Sequence, residues 1–206
     1  MTTWQEKLET RQYREMKPLE IRTEKEEEQN YIVEGYAMKY EPYELYETKD
    51  GKVNEEFLRE AFDESDLSDV IFLYDHQGKV LARGSNGTLE ITLDDIGMYI
   101  KADLSKSKAS REMYEEIQAG LVTKMSWGFK PGEYGFDNKT RTIVHKKINK
   151  IYDVSAVGIP ANNETMIYAR EFVDGVIDEF EAERLKEQQK RKKVMLKIKI
   201  EKEREL

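Results

Sequence analysis

The chain has no cysteine among its 206 residues, so disulfides and thiolate metal sites are excluded and a reducing compartment is tolerated. Its two histidines, His76 and His145, are too few for a histidine-rich metal site. No cofactor is expected. Long apolar runs are also missing: nothing approaches the roughly 20 residues that span a bilayer. The opening Met1-Thr2-Thr3-Trp4-Gln5-Glu6 has no basic region leading into an apolar core. The expectation is a soluble, intracellular protein with no membrane partner. A basic surplus is lacking too. At a net charge of −8, general affinity for nucleic acid is not expected, because phosphate binding needs a basic surface.

What the chain has in excess is charge of both signs, 37% of residues against a globular average of about 25%. The surplus sits at the ends. Residues 1–30 include Glu24-Lys25-Glu26-Glu27-Glu28-Gln29, with too few apolar groups to offset the entropy of ordering, and read as a charged N-terminal arm. Residues 31–170 hold nearly all of the apolar runs and read as the folded domain. From Glu171, the residues Phe172, Val173, Val176, Ile177 and Phe180 recur at helical spacing. Residues 171–206 are therefore read as an amphipathic, then charged, C-terminal helix or tail. Past Lys190, Leu196, Ile198 and Ile200 alternate with lysines, and helix and strand are both open there. The run from Arg184 to Lys199 is basic on an acidic protein, which suits docking on an acidic surface. Neither extension carries a residue that the chemistry below requires, so both read as addresses.

Within the domain, Tyr31-Ile32-Val33-Glu34-Gly35-Tyr36-Ala37-Met38 is rich in β-branched and aromatic residues and predicts a strand. Pro42, Asp50 and Gly51 punctuate a surface loop. Asn54 predicts a helix cap, with Glu55 and Glu56 in the first turn and Phe57, Leu58, Ala61 and Phe62 at helical spacing to Asp63. Val70-Ile71-Phe72-Leu73-Tyr74, Val80-Leu81-Ala82, Thr88 to Leu93 and Met98 to Ala102 follow as strands, the last two joined by Asp94-Asp95-Ile96-Gly97 as a hairpin turn. A second helix is predicted from Ala109 to Ala119, capped by Ser105 or Ser107 and stopped by Gly120. Met125 to Phe129, Thr142 to His145 and Ile151 to Ile159 complete seven or eight short strands. Hairpin-linked strands in this number predict a mainly β, α+β fold: a closed antiparallel barrel of about seven strands flanked by helices.

The chemistry centres on Ser126 in Met125-Ser126-Trp127-Gly128-Phe129. A lone serine in a strand is usually structural. Here His76 ends one apolar run and Asp153 opens another, so three strands deliver a nucleophile, a base and a group to orient the base. An imidazole with an ordinary pKa of about 6.5 suits proton transfer near neutrality. Alternation puts Lys124, Ser126 and Gly128 on one face and Met125, Trp127 and Phe129 on the other, which makes Trp127 a core residue. Each member has a plainer alternative: His76 as a loop residue bonded to backbone, Asp75 as a turn former, Asp153 as a turn cap. His145 also follows a strand and is the alternative third member. The Gly-x-Ser-x-Gly elbow of a general hydrolase is absent.

The order of these segments resembles a known family. His76 after its strand, Val80-Leu81-Ala82-Arg83-Gly84, the helix ending in Ala119-Gly120, Met125-Ser126-Trp127-Gly128-Phe129, and Tyr152-Asp153-Val154-Ser155 leading to Ile159-Pro160-Ala161-Asn162 look like the prohead, or capsid maturation, proteases of tailed phages. Gly35-Tyr36-Ala37 and Glu60-Ala61-Phe62 fit the same pattern, and the likeness covers about residues 18–170. It implies a serine endopeptidase with a fold similar to the herpesvirus assembly proteases. It also implies capsid and scaffold proteins as substrates and partners, self-digestion, and a location inside the prohead in the host cytoplasm. By the same resemblance Ser126 is the nucleophile and His76 the base. Asp153 fits the acid before Val-Ser, while the two-histidine viral enzymes keep His145 open. Trp127 departs from the small or aliphatic residue expected after the serine, which bears on pocket shape. A homodimer fits the likeness to the herpesvirus enzymes, and residues 172–180 could supply its interface. The alternative from another class is a catalytically silent capsid-assembly scaffold or binding module.

Overall fold

The structure is a computed structural model that describes residues 11–15, 22–23, 31–48, 51–158 and 163–204. Thirteen strands are described: β1 (Gln12–Glu15), β2 (Arg22–Thr23), β3 (Ile32–Lys39), β4 (Tyr43–Thr48), β5 (Gly51–Phe57), β6 (Ile71–Tyr74), β7 (Gln77–Arg83), β8 (Leu89–Leu93), β9 (Gly97–Asp103), β10 (Lys124–Pro131), β11 (Tyr134–Asp137), β12 (Thr142–His145) and β13 (Ile148–Val157). Two α-helices accompany them, α1 (Lys108–Gln118) and α2 (Asn163–Arg204).

The strands form three open sheets, in the orders β1-β10-β13-β6-β7, β11-β12-β5-β4 and β2-β3-β9-β8. The closed antiparallel barrel expected from the sequence is therefore incorrect. Each sheet ends in two strands that have one partner apiece, and β13–β6 and β12–β5 pair in parallel. The reason is physical. Alternation fixes which face a residue takes but not which strand lies beside it. Hairpin signals report only neighbours in sequence, whereas a parallel pair needs a long crossover.

Two further expectations change for one reason. Asn54 does not cap a helix: residues 51–57 are β5, and a 3-10 turn follows at Arg59–Phe62. Val53, Glu55 and Phe57 point inward at period two and are at most 1% exposed. With a glutamate in the middle, the alternation is invisible to a hydrophobic pattern. The expected loop after Pro42 contains β4, which pairs antiparallel with β5. The hairpin at residues 94–97 forms as expected, with Asp94 Oδ1 accepting from Ile96 N and Gly97 N. So does the second helix, where Ser107 Oγ accepts from Ser110 N at 3.0 Å and Gly120 ends the segment at φ 74°.

At the N-terminus, Gln12–Glu15 is not a free polar segment. It adds to the edge of β10 with Arg14 opposite Trp127 and Glu15 opposite Ser126. The Glu24 to Gln29 charge run and the Ile159 to Asn162 segment lie outside the described residues. At the other end α2 is one helix through Arg204, which settles the ambiguity around Leu196 and Ile198 in favour of helix. Phe172, Val173 and Val176 pack on Val53 and Ile143 of this same chain. That face is covered and is not a free dimer surface. Residues 181–198 are exposed throughout. Among the described residues no helix is long and apolar enough to cross a membrane.

All three sheets feed one core. Val33 and Ile100 meet Phe57, Phe72, Met125, Trp127 and Val154 there. Trp127 is fully buried, stacked on Phe129 at 4.2 Å and edge-on to Phe57 at 5.0 Å. This anchors β10, and with it Ser126, from the face opposite the serine. Trp127→Ala should lower the unfolding free energy by about 3–5 kcal/mol, measured by equilibrium urea denaturation.

Candidate active site

His76 is displayed by an unusual turn. Tyr74 pairs with Gln77, which leaves Asp75 and His76 as a two-residue loop between β6 and β7. Their φ angles are 45° and 59°, and two positive values make this a type I′ hairpin turn. Side-chain-bearing residues are strained there, by about 1–3 kcal/mol each. The turn is tied to the end of β13: Asp75 N donates to Ala156 O at 2.9 Å, and Gly158 N donates to Asp75 Oδ1 at 3.2 Å.

β10 and β13 supply the remaining groups. Their register sets Ser126 opposite Ser155 and Gly128 opposite Asp153. Strand pleating then puts all four on one face. The turn brings His76 over that face, where Nε2 lies 2.6 Å from Ser126 Oγ and Nδ1 lies 2.5 Å from Asp153 Oδ2. Ser155 Oγ donates to the same Oδ2 at 2.7 Å. Asp153 is fully buried, and its second oxygen is ion-paired with Arg11. Gly128 makes room for it, since a Cβ there would lie 2.5 Å from Asp153 Oδ1. The space left by the absent side chain is taken by this carboxylate and by Arg11.

Burial first, and the Arg11 cation second, push the His76 imidazole down to about 4. Arg11 also offsets the pull of Asp153 by pairing with it. The ring is therefore neutral near pH 7, with a lone pair free to take a proton. Such a set can activate a hydroxyl as a nucleophile. The Ser126 hydroxyl has one proton and two acceptors, because the Arg14 carbonyl oxygen lies 2.9 Å from Oγ.

Of the four residues singled out in the sequence, the structure brings Ser126, His76 and Asp153 together and places His145 elsewhere. His145 is fully buried and donates from Nε2 to Glu55 Oε1 at 2.8 Å. Arg14 Nε and Nη2 reach the two Glu55 oxygens at 2.6 and 2.9 Å, and Tyr43 Oη donates to Glu55 as well. Burial alone would raise the Glu55 carboxyl, but the Arg14 cation and the bond from His145 outweigh it and hold it at about 2. Burial pushes His145 down despite Glu55.

The sequence reading missed Ser155, Arg11, Tyr13, Arg14 and Glu55. Ser155 had a legible signal, since Asp153-Val154-Ser155 puts acid and hydroxyl on one face. The others had none. The Tyr13 ring covers His76 with centroids 4.3 Å apart, a contact made only through pairing with a strand more than a hundred residues away. Among the described residues no group of three or more histidines, cysteines and carboxylates could hold a metal ion.

The family model described as caudovirus prohead serine protease matches residues 17–177. No curated protein and no solved structure matches the chain. The family match spans both strands of the serine–aspartate register and the turn that carries His76, and the chain belongs to the caudovirus prohead serine protease family.

Proposed function

We propose that this chain works as a serine endopeptidase through an acyl-enzyme, with Ser126 as nucleophile, His76 as general base and Asp153 as the group that holds the base. Its substrates are capsid and scaffold proteins of an assembling prohead in the host cytoplasm, and the chain itself. The observation that carries the reading is the His76 ring, which spans Ser126 Oγ and Asp153 Oδ2 at 2.6 and 2.5 Å. In the first half-reaction Oγ attacks the scissile carbonyl carbon as Nε2 takes its proton and later hands it to the departing amide nitrogen. Asp153 accepts from Nδ1–H and so fixes the tautomer in which Nε2 is the base. Water then hydrolyses the ester by the same route.

Ser126→Ala should abolish cleavage. Because Ser126 is only 2% exposed and hydrogen-bonded, the change should cost about 0.5–1.5 kcal/mol of stability. A fluorophosphonate should form its adduct on Ser126 in the wild type, located by mass spectrometry. A catalytically silent assembly module would take no label. Asp153→Asn should keep the fold and lower turnover by about 10⁴-fold through the wrong tautomer, read with a peptide substrate.

The pH profile offers an independent check. Activity needs neutral His76, so the rate is lost on acidification through its pKa. While β1 lies on the site Arg11 disfavours the imidazolium, so Arg11→Gln should raise that pKa and move the acid limb of the chain's own cleavage to higher pH; an unmoved or lowered limb would contradict the role of Arg11. Stability shares the sign. With His76 at about 4 in the folded chain and about 6.5 unfolded, the unfolded chain takes the proton first, so stability falls as pH drops across that window.

A further inference from the structure

We propose that the cluster of Glu55, His145 and Tyr43 is a specificity pocket for an arginine whose carbonyl is presented to Ser126, and that residues 11–15 are its intramolecular occupant. The proposal rests on the endopeptidase reading and names its substrate class: peptides cleaved after arginine.

Three observations converge. The first is the backbone. β1 adds antiparallel to the edge of β10, the mode by which an extended peptide binds a sheet edge. Its register sets the Arg14 carbonyl oxygen 2.9 Å from Ser126 Oγ. Tyr13 lies over His76 and Arg11 pairs with Asp153, so this strand covers the whole candidate triad.

The second is the side chain. Arg14 is 2% exposed and enters between Phe129 and Phe172, with its guanidinium carbon 5.4 and 5.3 Å from the two ring centroids. Its Nε and Nη2 meet the two oxygens of Glu55 as a fork. That geometry suits a guanidinium and not an ammonium, which lacks the planar pair of donors. Glu55 has no exposure of its own and is braced by His145 and Tyr43. A carboxylate buried this way is costly without a cation, so the pocket rejects a neutral side chain.

The third is position in the chain. The family match begins at residue 17, so β1 lies upstream of the part that this chain shares with its family. A strand from outside the matched region fills a groove built entirely from inside it, since Tyr43, Glu55, Phe129, His145 and Phe172 all fall between residues 17 and 177.

The reaction balances without a further reagent except water. Ser126 Oγ bonds to the Arg14 carbonyl carbon. The hydroxyl proton passes through His76 Nε2 to the amide nitrogen of Glu15, and the Arg14–Glu15 C–N bond breaks. Water then hydrolyses the arginyl ester, which frees residues 1–14 and restores Ser126. The contact now seen is to the carbonyl oxygen, one C=O bond length, about 1.2 Å, from the carbon that reacts.

The test uses the full-length wild-type chain. It is incubated with a synthetic peptide of residues 8–20 and with the same peptide carrying citrulline, the neutral isostere, in place of Arg14. The expected result is cleavage between arginine and glutamate, with kcat/KM lower by about 10²-fold or more for the citrulline peptide, as for a site whose buried polar partner is left unpaired. Intact-mass spectrometry of the protein should show loss of residues 1–14, and Arg14→Leu should keep that bond whole. Equal rates on the two peptides, with Ser126 labelled by a fluorophosphonate, would overturn the pocket while leaving the protease reading intact. A Ser126 that takes no label, with neither peptide cut, would overturn both.

Discussion

Asp153 has no exposure to solvent, and a buried carboxylate must be matched by charge and hydrogen bonds or not be charged at all. The site is arranged around that demand. His76 and Ser155 meet one oxygen and Arg11 the other. The missing side chain of Gly128 supplies the space. Since Gly128 and Asp153 are cross-strand neighbours, the same pairing that gives the acid its room also fixes where Ser126 stands, two residues along β10. The strained turn at Asp75 and His76 is then the means of bringing a ring from the β6–β7 hairpin, on the far side of β13, over to the serine.

The chain uses one electrostatic pattern twice. Each of its two histidines touches a fully buried carboxylate, and each carboxylate is neutralised by an arginine from residues 11–15: Asp153 with His76 and Arg11, Glu55 with His145 and Arg14. Burial lowers the pKa of both rings in the folded chain. What separates the two is the group on the far nitrogen. His76 Nε2 faces a hydroxyl, whereas His145 uses its Nε2 on the acid itself. A histidine beside an acid is therefore not sufficient for base chemistry. The free lone pair must face the atom to be deprotonated.

Much of the candidate site was legible in the sequence, because its members sit in or beside apolar runs whose alternation assigns faces. Ser126 lies opposite the core residues Met125, Trp127 and Phe129, and Asp153 and His76 lie at the ends of such runs. The sheet organisation was not legible. β6 and β13 pair in parallel over about eighty residues of intervening chain, and no local pattern reports that. Glu55 shows the second limit. A charged residue at an inward position breaks the hydrophobic alternation that would identify its strand, and its burial follows from partners, Arg14 and His145, that sequence spacing does not connect. Arg14 shows the third, since a segment poor in apolar groups can still be ordered when it borrows a sheet edge and a buried counter-charge.

The long helix α2 carries a mechanical consequence. Its 42 residues correspond to a length of about 63 Å at 1.5 Å per residue, yet its buried contacts end near Phe180. The exposed residues 181–198 continue as a single helix for about 27 Å, with Arg191 and Glu187 paired one turn apart along it. A segment of this kind behaves as a strut and not as a leash. Anything gripping its basic far end would set both the distance and the direction of the folded body relative to that anchor.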